Sequence, residues 1–545
     1  MSILVASTQP IGTRRRVFGV ILLAVISIFA LRLVQLQVIE GGKYRLQADA
    51  QGIKKMTIQP VRGAMYDRNG YVVVGSDGSH SLYVTPNKFD ARSRALVSAI
   101  VGIETAEIVK LTTKYRINEY TPTRILRDID DTTWAKLNEF YYEIDGVDLE
   151  NESKRFYSRD VRGSHLLGYV KEINREEMQT SPFYSLGDMI GKVGLEIKFE
   201  DFLRGEKGHE FVAVNNRGQR IEAFNDGKID QHPLNGFDLY LGLDAELQAY
   251  GEHLMRRKNY TGAIVAIEPA TGEILAMVSA PDFDLEIFNG TTDPEEFRKI
   301  NEDKRNPQFN RATLAASYPP GSIWKPMMAL AALEEGLLDV NSTISCPGSF
   351  RYGNRSWACH GGHGAARIDR ALQASCNVFF YKLALKMGID TYHKWGTKFG
   401  FGTRLGVDVP EKPGLLPSHE WYEKKTAEGF KEVNLVNLGI GQGELAVNPL
   451  QMASFTATIA NGGKKIQPHF VSRIKNKKLD EMQEAVFSYE DLKIKPEHLA
   501  IVQKGMHDVV NVPGGTANHV SIPGLKIAGK TGTAQNSSGR NHSWF

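Results

Sequence analysis

The sequence predicts an α+β protein: one membrane-spanning helix, an elongated mixed region, then a larger domain of sheet and helices. Three observations predict it. A long uncharged run lies near the N-terminus. From about Glu40 to Gly236 the chain is polar, with short apolar runs and frequent glycine. From about Asp238 strands, then helices, then another strand follow one another. The chain's 545 residues allow roughly two to four domains with a sizeable core. Lysine plus arginine is 66 against 63 acidic residues, a net +3. That balance gives no basic face for a nucleic-acid partner. Three cysteines cannot all pair within the chain, so disulfides are not its main support.

In the N-terminal run, Val17 to Leu31 carries no charge, Arg32 interrupts, and apolar sequence resumes to Ile39. As a helix the stretch is long enough to cross a bilayer. Arg14, Arg15 and Arg16 precede it, and the positive-inside rule keeps them in the cytoplasm and exports the residues beyond Ile39. A cleaved signal peptide needs a small-x-small site after the run, and none is evident. A buried core helix does not explain the arginine triplet. The expected division is a cytoplasmic tail at 1–16, an anchor at 17–39 in the inner (cytoplasmic) membrane, a non-catalytic region at 40–237 and a catalytic domain at 238–545, both outside the cytoplasm.

Three clusters mark the polar region: Arg62 to Gly70, ending in the Asn69-Gly70 hairpin signal; Arg155-Phe156-Tyr157 with Ser164 to Tyr169; and Gly191 to Glu196 with Phe202 to Gly205. None contains a nucleophile beside a base, so they read as turns and buried salt links. Beyond them, Asp244 to Gln248 starts a helix. Gly262 to Glu268 and Glu273 to Ser279 are strands around a Pro269–Gly272 turn, and Met327 to Glu335 is a helix closed by Gly336. Leu525 to Thr533 is expected as a late strand.

The sharpest chemical signal is Pro319-Pro320-Gly321-Ser322-Ile323-Trp324-Lys325. Ser322 sits at a helix start, and Lys325 comes one turn later on the same face. A serine hydroxyl needs a base, and a lysine whose charge is suppressed by burial or by a neighbouring cation can be that base. Alone, the pair also fits an N-cap serine with a solvated lysine. Ser375-Cys376-Asn377 adds a hydroxyl for a proton relay and an amide for substrate, although by itself it fits a helix-start turn. Lys530-Thr531-Gly532-Thr533, on the expected late strand, supplies a cation, two hydroxyls and a glycine that lets substrate approach the strand edge. Each has a bland reading. The three in this order rarely arise together by accident.

These motifs resemble the Ser-x-x-Lys, Ser-x-Asn and Lys-Thr-Gly set of penicillin-binding proteins and serine β-lactamases. The three N-terminal clusters resemble those of class B penicillin-binding proteins, which are transpeptidases with a membrane anchor and a non-catalytic pedestal. Asn310-Arg311-Ala312, Gly441-Gln442-Gly443, Pro449-Leu450-Gln451 and Gly514-Gly515-Thr516-Ala517 agree with it, and the Gly191–Glu196 segment and the His363-Gly364 loop point to the elongation branch. The resemblance implies a penicillin-binding/β-lactamase-like domain with an antiparallel sheet flanked by helices. It implies Ser322 as nucleophile on a D-Ala-D-Ala stem peptide, with Lys325 as base and backbone N–H groups of Ser322 and Thr533 as oxyanion donors. Ser375 would then be the proton relay and Asn377 the amide contact, with Lys530, Thr531 and Thr533 on the carboxylate beside Gly532. β-Lactams would acylate Ser322. A SEDS-type glycosyltransferase and a rod-shape scaffold protein are the implied partners, and no cofactor is required for the chemistry. A family domain continues past Thr533 with further strands and a helix, so a chain ending twelve residues later reads as C-terminally truncated, with activity in doubt.

Cys346, Cys359, His363 and Cys376, spaced C-x12-C-x3-H-x12-C, form a donor set suited to structural zinc, with His360 an alternative ligand. A Cys346–Cys359 disulfide or buried free thiols are the competing readings. For the whole chain, the rivals are a D,D-carboxypeptidase or β-lactam hydrolase, a β-lactam sensor and an inactive scaffold. The first needs an extra base, the second a multi-span signalling region, and neither is found.

Overall fold

The computed structural model describes residues 11–36, 53–116, 118–214, 220–289, 292–535 and 541–545. Residues 37–39 of the expected anchor lie outside the described residues. Ile11–Val34 is a helix, and from Arg15 to Val34 it is long and apolar enough to cross a membrane, with none of it buried. The described residues divide into two compact units, one drawn from 1–59, 80–152 and 206–234 and the other from 60–79, 153–205 and 235–545.

In the first unit, strand Ile53–Ile58 pairs antiparallel with Gly208–Val214, which pairs in turn with Arg220–Ala223. Leu82 and Val84 meet Leu126 and Thr123 across a second antiparallel pairing. Helices Ala91–Val101, Thr105–Tyr115 and Asp131–Glu139 belong to this unit. Its core is Leu82, Val84, Phe89, Val97, Ile108, Ile125, Leu137, Ile144 and Val147. The helix starts follow from sequence: the Asp90 carboxylate accepts the N–H of Ser93, and that of Asp130 accepts those of Thr132 and Thr133.

In the second unit the three polar clusters converge. Arg155 Nε donates to Glu196 Oε1 at 2.6 Å, and Arg62 Nε donates to Glu196 Oε2 at 2.7 Å. Arg62 also reaches Glu200 at 2.6 Å, and Glu200 accepts from the Tyr184 hydroxyl and the Gly191 N–H. Arg155 and Glu196 side chains are 1% and 0% exposed. Two guanidinium groups and two carboxylates balance, so no bare charge is buried, and the reading as buried salt links holds. Removing one partner uncovers another: Arg155→Ala costs about 3–5 kcal/mol and lowers the melting temperature of this unit by about 5 °C or more, read by differential scanning calorimetry.

Helix Ala245–Arg257 begins on the Asp244 cap, and strands Gly262–Ile267 and Ile274–Ala280 form the expected hairpin. Lys325–Glu334 comes after a 3₁₀ turn at Gly321–Trp324, so the helix starts one residue pair before the expected Met327. From Lys325 to Leu333 every residue is buried. An all-round buried helix is the centre of a core, and Ile368–Gln373, Asn377–Lys398, Pro449–Ala460 and Pro496–Asn511 supply residues to the same cluster or pack beside it. One expectation fails. Leu525 to Thr531 is not strand; the strand is Gly532–Ala534, paired with His542–Trp544. Leu525 and Lys526 are exposed, and the segment is fixed instead by single bonds such as Gly529 N–H to the Met506 carbonyl and the Asn511 amide to the Ile527 carbonyl. Its alternating pattern has no described neighbour to pair with.

Candidate active site

Ser322 lies in the 3₁₀ turn ahead of the central helix. Gly321 before it has φ +60°, and a Cβ there would come within 2.9 Å of the Thr533 carbonyl oxygen. Glycine therefore allows the serine turn to lie against the Gly532–Ala534 strand. Lys325 opens the helix proper and is fully buried. Its amine donates to the Ser375 carbonyl at 2.8 Å and to Asn377 Oδ1 at 2.7 Å, and lies 3.1 Å from Ser375 Oγ, whose hydroxyl can donate to it when the amine is neutral. Ser322 is not among its hydrogen-bond partners within the described residues. Catalytic hydrogen bonds commonly tighten only when substrate is bound.

Ser375 comes after the helix Ile368–Gln373 and precedes Asn377–Lys398. Its φ is 51°, in the left-handed region that a side chain disfavours. Glycine is the expected residue at such a helix end. A serine held there at a cost of about 1–2 kcal/mol has its hydroxyl placed by the turn. That hydroxyl also meets the Lys530 amine at 3.0 Å. One oxygen thus bridges two lysine nitrogens. Burial first, then the charge of Lys530, holds Lys325 well below the ordinary lysine range. Burial pushes Lys530 down to about 7. An unprotonated amine near neutral pH is what a serine base requires.

Ser322, Ser375, Asn377, Thr531, Gly532 and Thr533 line one cavity of about 820 Å³. Lys325 and Lys530 stand behind it, joined to it through Ser375. The eight residues drawn from three distant motifs therefore share one neighbourhood. Of the rest of the wall, sequence reasoning named Gln442, Gly443 and Thr516 only as part of the resemblance and Cys359 and His360 only as metal ligands, and it missed Trp357 and Asn437. Thr516 hydrogen-bonds the Thr531 hydroxyl at 2.6 Å, Trp357 donates its indole N–H to Asn437 Oδ1 at 3.2 Å, and Gln442 reaches the Thr533 carbonyl at 3.5 Å. Thr516 and Gln442 fall within Gly-rich motifs of the sequence; Trp357 and Asn437 carry no local signal.

Cys346, Cys359, His363 and Cys376 come together beside this site, with their donor atoms all within 4.8 Å of one another. His363 Nδ1 is 3.5 Å from Cys346 Sγ and 3.6 Å from Cys359 Sγ, and the Cys359 and Cys376 sulfurs are 3.9 Å apart. The three thiols are unpaired. The Asn377 N–H points at Cys359 Sγ at 3.2 Å and the Phe379 N–H at Cys376 Sγ at 3.4 Å. The neighbouring Cys376 thiol, together with the N–H groups of Val378, Asn377 and Gly361, pulls the Cys359 thiol well below its ordinary range. Cys376 moves the opposite way, since one of the two must keep its proton. His360 lines the cavity instead and is outside the cluster.

This serine-and-lysine cavity on a sheet edge, behind a buried helix, is the site of a serine acyl-transfer protein. The chain belongs to the penicillin-binding protein transpeptidase family: residues 262–545 match the penicillin binding protein transpeptidase domain, and residues 57–241 match the penicillin-binding protein dimerisation domain. Among curated relatives, the peptidoglycan D,D-transpeptidase MrdA of Acinetobacter baumannii is 32% identical over 96% of this chain and 78% of its own length. MrdA of Escherichia coli K12 is 31% identical over 95% and 83%. Among solved structures, a complex between PBP2 and MreC from Helicobacter pylori aligns with a TM-score of 0.75 at 27% identity, covering 90% of this chain and 92% of that one. A chain of a peptidoglycan synthase complex that coordinates polymerization and crosslinking aligns at 0.69, with 28% identity over 96% and 89%.

Proposed function

We propose that this chain is an elongation-type peptidoglycan D,D-transpeptidase working through a Ser322 acyl-enzyme. The observation that carries the roles is the Ser375 hydroxyl bridging the Lys325 and Lys530 amines at the wall of the cavity that holds Ser322. In this reading Lys325 takes the Ser322 proton as Oγ attacks the carbonyl of the penultimate D-alanine. The N–H groups of Ser322 and Thr533 hold the oxyanion. Ser375 delivers a proton to the departing D-alanine, and Asn377 holds the acyl peptide's amide. Lys530, Thr531 and Thr533 bind the terminal carboxylate, with Gly532 leaving room for it. An acceptor amine then opens the ester, so the donor peptide's own bond energy drives the exchange and no cofactor takes part. β-Lactams, which present the same carbonyl and carboxylate, acylate Ser322. Incubation with a stem pentapeptide and an amine acceptor tests this: mass spectrometry finds the cross-linked product and one D-alanine. A shortened peptide without cross-link makes the chain a carboxypeptidase instead.

The apolar helix supports a single-pass anchor, and Arg14 to Arg16 set its orientation, leaving residues beyond it outside the cytoplasm. The division at 40–237 and 238–545 is kept as the functional one, a pedestal before a catalytic domain. The likeness to a PBP2–MreC complex and to a peptidoglycan synthase complex supports an MreC-type scaffold and a SEDS-type glycosyltransferase as partners.

A structural zinc on Cys346, Cys359, His363 and Cys376 belongs to the same proposal. A tetrahedral site with Zn–S of about 2.3 Å has sulfur–sulfur edges of about 3.8 Å, close to the separations in the cluster. The ion has no step in the reaction; it ties the loop before Cys359 to the Ser375–Asn377 turn. Metal analysis finds one zinc per chain, and Cys359→Ser loses it and lowers the melting temperature by about 5 °C or more. No zinc, with Cys346 and Cys359 oxidised to a disulfide, removes the proposal.

A further inference from the structure

The reaction joins two peptides, and the strand Gly532–Ala534, paired on one side with His542–Trp544, leaves one edge to offer. A second strand also lines the cavity. Ser356, Trp357, Ala358, Cys359 and His360 all line the cavity. Side chains alternate across a strand, so a wall built from one face would show every second residue. Three successive strand residues, Ser356 to Ala358, line it, so the strand stands edge-on to the cavity, and Cys359 and His360 continue the wall beyond the strand's end.

The strand is Arg355–Ala358, paired antiparallel with Ser349–Tyr352, with Arg351 opposite Ser356 and Ser349 opposite Ala358. The Cys359 N–H donates to the Gly348 carbonyl at 2.9 Å, which makes Gly348 and Cys359 a hydrogen-bonded pair. In an antiparallel ladder such pairs alternate with pairs whose polar groups point away. Counting back, Trp357 and Arg355 bond their partner strand, whereas Ser356 and Ala358 present N–H and C=O outward. The Ala358 carbonyl accordingly accepts from the hydroxyl of Tyr381, itself a cavity residue. The N–H groups of Ser356 and Ala358 and the carbonyl of Ser356 have no partner among the described residues. Outward groups two residues apart match the repeat of an extended peptide. Trp357, with its indole held by Asn437, closes the wall beside them.

We infer that the outward edge of Arg355–Ala358 is the acceptor subsite, which seats the second stem peptide as an added strand in the cavity that holds the donor. The inference rests on the transpeptidase reading and names where its second substrate binds. The free amine of the acceptor's diamino acid is thereby delivered to the Ser322 ester. The new amide forms as the bond from the acyl carbon to Ser322 Oγ breaks, and the amine's proton returns to Oγ.

Ser356→Pro removes one outward N–H without touching the ladder, and fills the edge with the ring. Arg351→Pro is its matched control, because the Arg351 N–H points outward from the far edge, away from the cavity. Two rates separate the effects: acylation by a fluorescent penicillin, and transfer of the acyl group from a stem pentapeptide to an amine acceptor. The expected result for Ser356→Pro is acylation within about twofold of the parent and a transfer-to-hydrolysis ratio reduced at least tenfold, with Arg351→Pro unchanged in both. Transfer by Ser356→Pro at the parental ratio overturns the inference. A parent that is acylated but never transfers fails the transpeptidase reading instead. A second measurement needs no variant. An N-acetylated tripeptide stem, lacking both D-alanines and the amine, competes with the acceptor in the parent protein and leaves penicillin acylation unaffected. Equal inhibition of both rates would put it in the donor groove and overturn the inference equally.

Discussion

Ser322→Ala abolishes labelling by a fluorescent penicillin, lowering the acylation rate by at least about 10⁴-fold, while the melting temperature stays within about 2 °C of the parent. The asymmetry comes from the side chain's surroundings. Its hydroxyl has no hydrogen-bond partner among the described residues, so truncation leaves no buried group unsatisfied. The backbone of the turn is set by other residues: Gly321 at positive φ, its N–H bonded to the Gly441 carbonyl at 2.8 Å, and Trp324 buried beneath. The cavity, both lysines and the strand edge therefore persist in the variant, and what is lost is the atom that forms the bond. In-gel fluorescence after a timed exposure reads the rate, and differential scanning fluorimetry reads the fold. Undiminished labelling of Ser322→Ala would place the acyl group on another residue and dismantle the whole assignment of roles.

Much of this site was legible because its chemistry sits in short local words. Ser322 and Lys325 are three residues apart, Ser375 and Asn377 two, and Lys530 to Thr533 are contiguous. What the words could not convey is the geometry between them. Nothing local says that Lys325, fifty residues before Ser375, spends all its hydrogen bonds on the Ser375–Asn377 turn. Nor does the sequence announce that Ser375 adopts a left-handed backbone, since a serine after a helix is an ordinary sight. The late strand was misread for a related reason. Leu525-Lys526-Ile527 alternates like a half-buried strand, but alternation needs a partner surface, and here the leucine and lysine remain exposed. The clusters at Arg62, Arg155 and Glu196 read as salt links only in outline. Their closure into a single network depends on pairings across separations of 41 and 134 residues, which no spacing rule reports.

Lys530→Gln moves the acid limb of the acylation pH profile upward by about one unit or more and removes the alkaline limb. The Lys325 and Lys530 amines each contact Ser375 Oγ, at 3.1 and 3.0 Å, so they lie at most about 6 Å apart. Two ammonium groups at that distance repel by about 3 kcal/mol at an effective dielectric constant of 20, worth about two pKa units. Burial, the larger effect on Lys325 and the cause of the Lys530 shift, acts together with this repulsion to keep the two from being charged at once near neutral pH. No carboxylate forms an ion pair with either amine among the described residues, and the ionisable groups that favour the Lys325 charge are the Cys376 and Cys359 thiols. Lys325 is therefore unprotonated over a wide range, and Lys530, with its pKa at about 7, carries the charge at and below that pH. For the free enzyme, the second-order acylation constant falls on the acid side as Lys325 gains a proton. It falls on the alkaline side above about pH 7 as Lys530 loses the charge that meets the substrate carboxylate. Glutamine at 530 withdraws the repulsion, so Lys325 binds its proton at higher pH and the acid limb rises; the alkaline limb disappears with its group. Lys530→Arg keeps a permanent charge, so it too loses the alkaline limb but leaves the acid limb at or below its parental position. Profiles of penicillin acylation from pH 5 to 10 distinguish the three. An acid limb that stays in place in Lys530→Gln would mean that the two amines do not sense each other, and that burial alone keeps the base free of its proton.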